Sequence, residues 1–318
     1  MLGSRIDRPI QLMPIFRERI WGRESLAPYF PVTPRGERIG EVWFTADENL
    51  TSLQCTLGDL IRNHPEILGN AADARHPGIC PLLVKLIFTD DRLSVQVHPD
   101  YEYAEKHHGS LGKTEAWYLI EAQPGSKMAI GFERPLSREA LREAAQSGDI
   151  EQMLDWRDAR AGDVTYLPAG TVHAMGGGLT ICEIQENSDI TYRLYDFGRG
   201  RELHLDHGIE VARLTPSDHR TKRVAISDWR EELLVSNFFR IERMTPKRAV
   251  RIHGGLPHFL LLICIKGAGR IAQHDFSAGE AWLVPAQGDA CTLEGADSEW
   301  IVTYKADQRT ALLTEVDD

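Results

Sequence analysis

Gln96, His98, Glu115 and His173 are the residues whose types and spacing point to chemistry. Gln96 and His98 stand two apart in the alternating run Leu93-Ser94-Val95-Gln96-Val97-His98. On a strand, side chains two apart leave the same face, which puts an amide oxygen beside an imidazole. Glu115 and His173 follow at positions that also read as strand or strand edge. Two imidazoles, a carboxylate and a neutral oxygen donor suit a divalent transition metal that keeps coordination positions open. An open site argues for chemistry, where a closed one argues for scaffolding. The bland alternative is a polar cluster that holds no metal.

The elements that must carry these residues are short. Leu82–Phe88, Leu93–His98, Ala116–Glu121, Val164–Leu167, Thr180–Gln185, Phe259–Ile265 and Trp300–Lys305 are apolar or alternating, with Gly, Pro, Asp or Asn between them. Many short strands with turn signals predict a sandwich or barrel. Helical segments are few. Thr56 with Asp59 opens one that ends before Pro65. Pro99 is expected in the first turn of a second, which runs through Tyr101, Ala104 and His107 to Gly109. Ser137 caps Arg138–Gln146, and a fourth helix is expected over His204–Leu214. One internal similarity stands out. Ala161-Gly162-Asp163-Val164-Thr165-Tyr166-Leu167-Pro168-Ala169 aligns with Ala278-Gly279-Glu280-Ala281-Trp282-Leu283-Val284-Pro285-Ala286 at a constant offset of 117 (161 to 278, 169 to 286). At that offset His173 falls on Ala290. The expectation is mainly β: two tandem barrel halves, with residues 1–235 binding metal and 236–318 forming a smaller β domain without ligands.

Composition narrows the class. The chain has 318 residues, with 36 basic against 47 acidic, a net charge of −11. An acidic balance disfavours nucleic-acid binding, although a few local cations can still dominate one cleft. The five cysteines are not spaced as CxxC pairs, which fits buried thiols in a reducing cytoplasm. The N-terminus lacks a signal-peptide core, and Phe259–Ile265 is far too short to span a bilayer. No nucleic-acid or membrane partner is expected. The oligomeric state stays open.

Gly162-Asp163 with Pro168-Ala169-Gly170-Thr171-Val172-His173, and Gln96-Val97-His98-Pro99 through Glu115, resemble the two motifs of cupin jelly-roll barrels. Longer blocks are similar to the type I mannose-6-phosphate isomerase family: Pro81-Leu82-Leu83-Val84-Lys85-Leu86-Ile87, Gly112-Lys113-Thr114-Glu115-Ala116-Trp117-Tyr118, and Glu183-Ile184-Gln185-Glu186-Asn187-Ser188-Asp189-Ile190-Thr191-Tyr192-Arg193-Leu194-Tyr195-Asp196. Ile20-Trp21-Gly22 and Ile39-Gly40-Glu41-Val42-Trp43 echo it again, so the resemblance runs over residues 15–215. It implies one zinc per chain on Gln96, His98, Glu115 and His173, other divalent metals being able to substitute. It also places the family's arginine on Arg193 and its lysine on Lys113. Arg23 and Val42-Trp43-Phe44 depart from the family pattern, outside the metal blocks, and bear on substrate preference.

Aldose–ketose isomerisation moves a proton between neighbouring carbons through an enediol, whose developing oxyanion needs stabilising. A sugar phosphate is the implied substrate. Arg193 stays charged and can fork onto sugar oxygens or phosphate. Lys113, two residues before Glu115, is expected on the ligand face. Glu183 is a candidate proton carrier, with Lys113 and metal-bound hydroxide as rivals for the base. Ser94 shares the face of Gln96 and His98 and is a candidate phosphate donor. Each has a structural counter-reading: an ion pair of Arg193 with Asp189 or Asp196, a solvated Lys113, a Glu183 that braces a strand, a Ser94 that caps one. Two other functions fit the same fold. One is a ferrous cupin oxygenase on His98, Glu115 and His173; the other is a sugar-phosphate sensor without turnover.

Overall fold

Alternation with period two makes most of the chain strand. The computed structural model describes residues 5–34, 36–216, 219, 221–310 and 313–316. The first half supplies β1 (Ile10–Leu12), β2 (Ile15–Arg23), β3 (Ile39–Trp43), β4 (Leu82–Thr89), β5 (Val95–Val97), β6 (Glu115–Ala122), β7 (Lys127–Phe132), β8 (Leu154–Asp158), β9 (Val164–Leu167), β10 (His173–Met175), β11 (Leu179–Glu186) and β12 (Tyr192–Tyr195). The second supplies β13 (Val224–Ala225), β14 (Arg230–Val235), β15 (Arg240–Met244), β16 (Val250–Ile252), β17 (Leu260–Lys266), β18 (Ala268–Ile271), β19 (His274–Ser277), β20 (Ala281–Val284), β21 (Cys291–Glu294), β22 (Glu299–Tyr304) and β23 (Leu313–Glu315).

These strands build four antiparallel sheets. The first two have the orders β2-β3-β4-β11-β6-β9 and β12-β5-β10-β7-β8. Adding eleven to each strand number reproduces the other two, β13-β14-β15-β22-β17-β20 and β23-β16-β21-β18-β19, with β1 joined to the edge of β20. Each pair of sheets is a jelly-roll barrel of the cupin type, so the mainly β, two-barrel expectation is met. The repeated segments are β9 and β20, each entered through a glycine in the left-handed region, Gly162 at φ +87° and Gly279 at φ +93°. Strands β13 and β14 precede residue 236 yet pair into the second large sheet.

Packing follows from which face of each strand is apolar. Leu82, Val84, Leu86, Cys182 and Ile184 share one core with Leu261, Ile263, Leu283 and Ile301, so the two large sheets pack back to back. Val95, Val97 and Ala174 turn outward against α3 (Arg138–Ser147) and α5 (Leu205–Val211), through Leu141, Ala144 and Ile209. That outward face sends Gln96 and its neighbours two apart into the barrel.

The helices follow their caps. Thr56 accepts from the Asp59 amide to open α1 (Leu57–Asn63). The cap of α2 (Tyr101–His108) is Asp100, which leaves Pro99 outside the first turn, and Gly109 ends the helix in the left-handed region. Ser137 caps α3 as expected, and α4 (Ile150–Met153) is a single turn. The fourth predicted helix is shorter than His204–Leu214, because Ala212 is already extended and the Arg213 amide pairs with the Gly170 carbonyl. Similarly, regular pairing in β5 covers only Val95–Val97, though Leu93 and His98 still bond Met175 and Gly170 through the backbone. All five cysteines are free; Cys80, Cys182 and Cys264 are buried, whereas Cys55 and Cys291 are partly exposed. No helix among the described residues is long and apolar enough to cross a membrane.

Candidate metal centre and active site

Strand register assembles the centre. His173 on β10 lies opposite Gln96 on β5, and Gln96 lies opposite Arg193 on β12. On the facing sheet, Glu115 opens β6 and lies opposite Gln185 on β11. His98 Nε2 is 3.5 Å from Glu115 Oε2, and His173 Nε2 is 3.3 Å from Glu115 Oε1. All three residues are buried. Two donors each about 2.1 Å from a shared tetrahedral ion stand about 3.4 Å apart, so these separations fit one cation.

The hydrogen bonds aim the donors. His98 Nδ1 donates to the Ile190 carbonyl at 2.8 Å, and His173 Nδ1 donates to the Thr171 carbonyl at 2.9 Å. Each Nε2 lone pair therefore points inward, in the manner of a metal-binding histidine held by a backbone carbonyl. His98 Nε2 and both Glu115 carboxylate oxygens are buried with no hydrogen-bond partner. A buried carboxylate without a partner is costly, and a bound cation removes that cost. Burial holds His98 well below the usual imidazole value and takes His173 down to about 4, so both are neutral and free to ligate. Burial also raises Glu115, against the opposing pull of Lys113 and Lys85. Among the described residues, this is the one cluster of three His, Cys, Asp or Glu whose ligand atoms all lie within 4.8 Å. The Gln96 amide is 3.2 Å from His173 Nε2, and a half-turn of that amide brings its oxygen to the same place.

A cleft of about 390 Å³ opens beside the cluster, and its wall includes Ser94, Gln96, Lys113, Glu183 and Arg193. Lys113 is buried and places Nζ 3.5 Å from Glu115 Oε2. It sits in an extended segment just before β6 rather than on the strand, its amide bonded to the Pro99 carbonyl. Arg193 pairs with neither Asp189 nor Asp196. Asp196 is taken by Arg199 and Arg201 and Asp189 lies near Lys85, while one Arg193 Nη donates to the Glu202 carbonyl at 2.7 Å. Its buried Nε has no partner. Ser94 donates to the Gln96 amide oxygen at 3.3 Å.

Lys85 also lines the cleft, although in the sequence it stands out only as part of the block Pro81–Ile87. Lys85 on β4 lies opposite Glu183 on β11, which lies opposite Trp117 on β6. Glu183 accepts from the Trp117 indole at 3.0 Å and stands 3.4 Å from Lys85 Nζ. Burial, then the Glu115 charge, raise Glu183 above the usual carboxylate range. Burial works against the Lys85 ammonium, but Glu183 and Glu41 outweigh it and hold the group above its ordinary value. Arg19, Glu41, Asp189, Thr191 and Arg201 also line the cleft, with Arg19 forked onto Glu41 at 3.2 and 2.9 Å. A buried lysine inside an apolar strand was the available signal; its ion pair depends on register and is invisible in the sequence. Arg23, one of the departures from the family pattern, donates to Leu179, Thr180 and Thr89 instead of lining the cleft. Among the tryptophans, Trp21 lines the cleft, Trp43 stacks under Lys85 at 4.6 Å and Trp117 braces Glu183.

Fold and site together define a cupin with a buried cation centre beside a strongly charged cleft. Residues 10–129 match the family described as phosphomannose isomerase type I, catalytic domain. The chain is 35% identical over 318 residues to mannose-6-phosphate isomerase ManA of Bacillus subtilis (strain 168), covering 93% of this chain and 98% of that one. It is 34% identical over 297 residues to a mannose-6-phosphate isomerase of Streptococcus mutans, covering 87% and 92%. The crystal structure of the mannose 6-phosphate isomerase from Bacillus subtilis shares the fold at a TM-score of 0.85 and 28% identity, covering 93% of this chain and 99% of that one. The chain belongs to the type I phosphomannose isomerase family.

Proposed function

We propose that this protein interconverts mannose 6-phosphate and fructose 6-phosphate by proton transfer between C1 and C2 through an enediol. The observation that carries this reading is the buried His98–Glu115–His173 cluster, with unpartnered acceptor atoms, opening on a cleft that holds Lys85, Lys113 and Arg193. Gln96, His98, Glu115 and His173 would hold one divalent cation, zinc by donor type. Bound there, it supplies Lewis-acid polarisation of the substrate oxygens.

The remaining work belongs to this chain's side chains. Arg193, with its free buried Nε, places positive charge where the oxyanion develops. Lys113 sits beside the carboxylate ligand and donates to the sugar oxygens. Glu183 is the proton carrier: its raised affinity for a proton suits a group that takes one from carbon and returns it to the neighbouring carbon. Lys85 and the Trp117 indole hold that carboxylate in place. Ser94 binds the substrate from the Gln96 side. All of these residues lie within 1–235, and we assign residues 236–318 no part in the chemistry. A cytoplasmic setting fits the five unpaired thiols.

Coupling fructose 6-phosphate formation to a dye readout tests the proposal. Chelation should abolish activity, and added zinc should restore it. Full turnover in excess chelator would overturn the mechanism.

A further inference from the structure

A cavity of about 580 Å³ lies where the segment after α1 meets the second barrel, and no residue of the metal centre lines it. Its wall takes Asn70 from the first half and Phe238, Arg240, His258, Lys305 and Arg309 from the second. Backbone bonds lock the seam: Asn70 donates to the Pro257 carbonyl at 2.8 Å, and Gly69 bridges His258.

His258 is the unusual member. Its side chain is buried, 4% exposed, yet Nε2 has no partner. The ring cannot turn away easily. It stacks on Tyr304 with centroids 4.8 Å apart and planes 16° apart, and the Tyr304 hydroxyl is itself anchored on Glu242. An orphaned imidazole nitrogen is costly unless something in the cavity bonds to it.

The charges beside it are incompletely matched. Lys305 Nζ stands 3.7 Å from Asp73, but that carboxylate is already forked by Arg75 at 2.9 and 2.6 Å. Arg309 makes no ion pair among the described residues, and Asp307 is the one carboxylate in the wall. Arg240 is consumed structurally: it pairs with Glu232 and donates to the Ala306 and Asp307 carbonyls, fixing the rim. A chain of net charge −11 therefore presents two under-compensated cations and a wall histidine with a buried, unpartnered nitrogen at one cavity of metabolite size.

We propose that this cavity is a second ligand site, separate from the substrate cleft, for a compact dianion of the phosphate-monoester type. Lys305 and Arg309 supply the charge, and His258 Nε2 supplies the oriented hydrogen bond. Because the wall is drawn from both halves, occupancy ties residues 69–73 to the second barrel. Binding therefore raises the thermal midpoint. The inference does not rest on the isomerase reading.

The test uses the full chain and inorganic phosphate at constant ionic strength. Calorimetry should resolve two classes of phosphate site, one in the substrate cleft and one here. The double variant Lys305→Gln/Arg309→Gln changes surface side chains and should fold. It should weaken one class by about tenfold or more and leave KM and kcat in phosphate-free buffer unchanged. Arg193→Ala should leave that class intact. His258→Phe keeps the stacking and burial but removes Nε2, and should weaken the same class. In wild-type protein, the His258 ring nitrogen resonance should shift on phosphate addition, a readout that needs no variant to fold. A single class of site untouched by the double variant, or a His258 resonance that does not move at saturating phosphate, would overturn the proposal.

Discussion

The two barrels share one strand order, yet among the described residues only the first gathers three metal-type ligand side chains in its interior. Along one row of the first, Lys85, Glu183, Trp117 and Thr165 are register neighbours on β4, β11, β6 and β9. The same row of the second reads Glu242, Val302, Leu262 and Trp282 on β15, β22, β17 and β20. Two pairs further along, Glu115 with Leu167 becomes Leu260 with Val284, and His173 becomes Ala290 at the sequence offset. The small Thr165 is replaced by Trp282, buried to 1% exposure in a core with Trp300 and Leu262. The buried carboxylate of that row in the second barrel is satisfied internally: Glu242 pairs with Arg230 at 2.5 Å and accepts from the Tyr304 hydroxyl. The first barrel brings unpartnered carboxylate and imidazole atoms together in one cluster, whereas the unpartnered Glu280 Oε2 and His258 Nε2 of the second belong to no such cluster among the described residues. A shared fold thus supplies positions, and chemistry depends on which of them are left unsatisfied.

Four experiments can break or sharpen this contrast. Glu115→Gln strikes the carboxylate that has no counterpart in the second barrel. We expect metal content to fall with it and turnover to drop by about 10³, while the thermal midpoint moves little. Elemental analysis and the coupled assay check both halves of that statement. Trp282→Ala strikes the plug of the other barrel. Denaturant unfolding should show a loss of about 3–5 kcal/mol, with kcat and KM unchanged; a loss of turnover instead would give the second barrel a share of the chemistry.

The third experiment concerns pH in metal-free protein. His173 has a folded value of about 4, held down by burial, against about 6.5 in an unfolded chain. As pH falls through that window, the unfolded chain takes up the proton and the folded one does not, so stability is lost. The gap corresponds to about 3 kcal/mol. Urea unfolding between pH 7.5 and pH 4 should show the decline, and His173→Gln should reduce it, the remainder being carried by His98, which burial lowers in the same direction. An unchanged slope would move the sensitivity to His98 or to His258 in the second half, both also depressed by burial. Last, Arg193→Ala should lower kcat by about 10² while leaving metal content and folding intact. A variant that loses its metal as well would make Arg193 a structural part of the centre.

Much of this was legible in order along the chain. The alternation of Leu93 to His98 told which face Gln96 and His98 share, because strand geometry is local. The Thr56, Ser137 and Gly109 signals marked helix ends for the same reason. The offset between β9 and β20 revealed the duplication, since turn chemistry repeats wherever the backbone repeats. What stayed illegible depends on contacts between distant segments. The early end of α5 follows from Arg213 pairing with Gly170, and the Lys85–Glu183 pair follows from the register of β4 against β11. The partners of Asp196 and Asp189, which leave Arg193 outside any ion pair among the described residues, likewise belong to the folded chain.

By itself, the sequence determined the residue types, the strand faces and the ligand set on offer, because these follow from periodicity and side-chain chemistry. Tertiary structure decided that His98, Glu115 and His173 meet in a buried cluster with free acceptor atoms, and that five cations of an acidic protein, Arg19, Lys85, Lys113, Arg193 and Arg201, share one cleft. It also decided that the same fold, repeated, closes over Trp282. The physical reason is that burial and register are properties of the packed sheets: a side chain's charge acquires its meaning from which strand lies beside it.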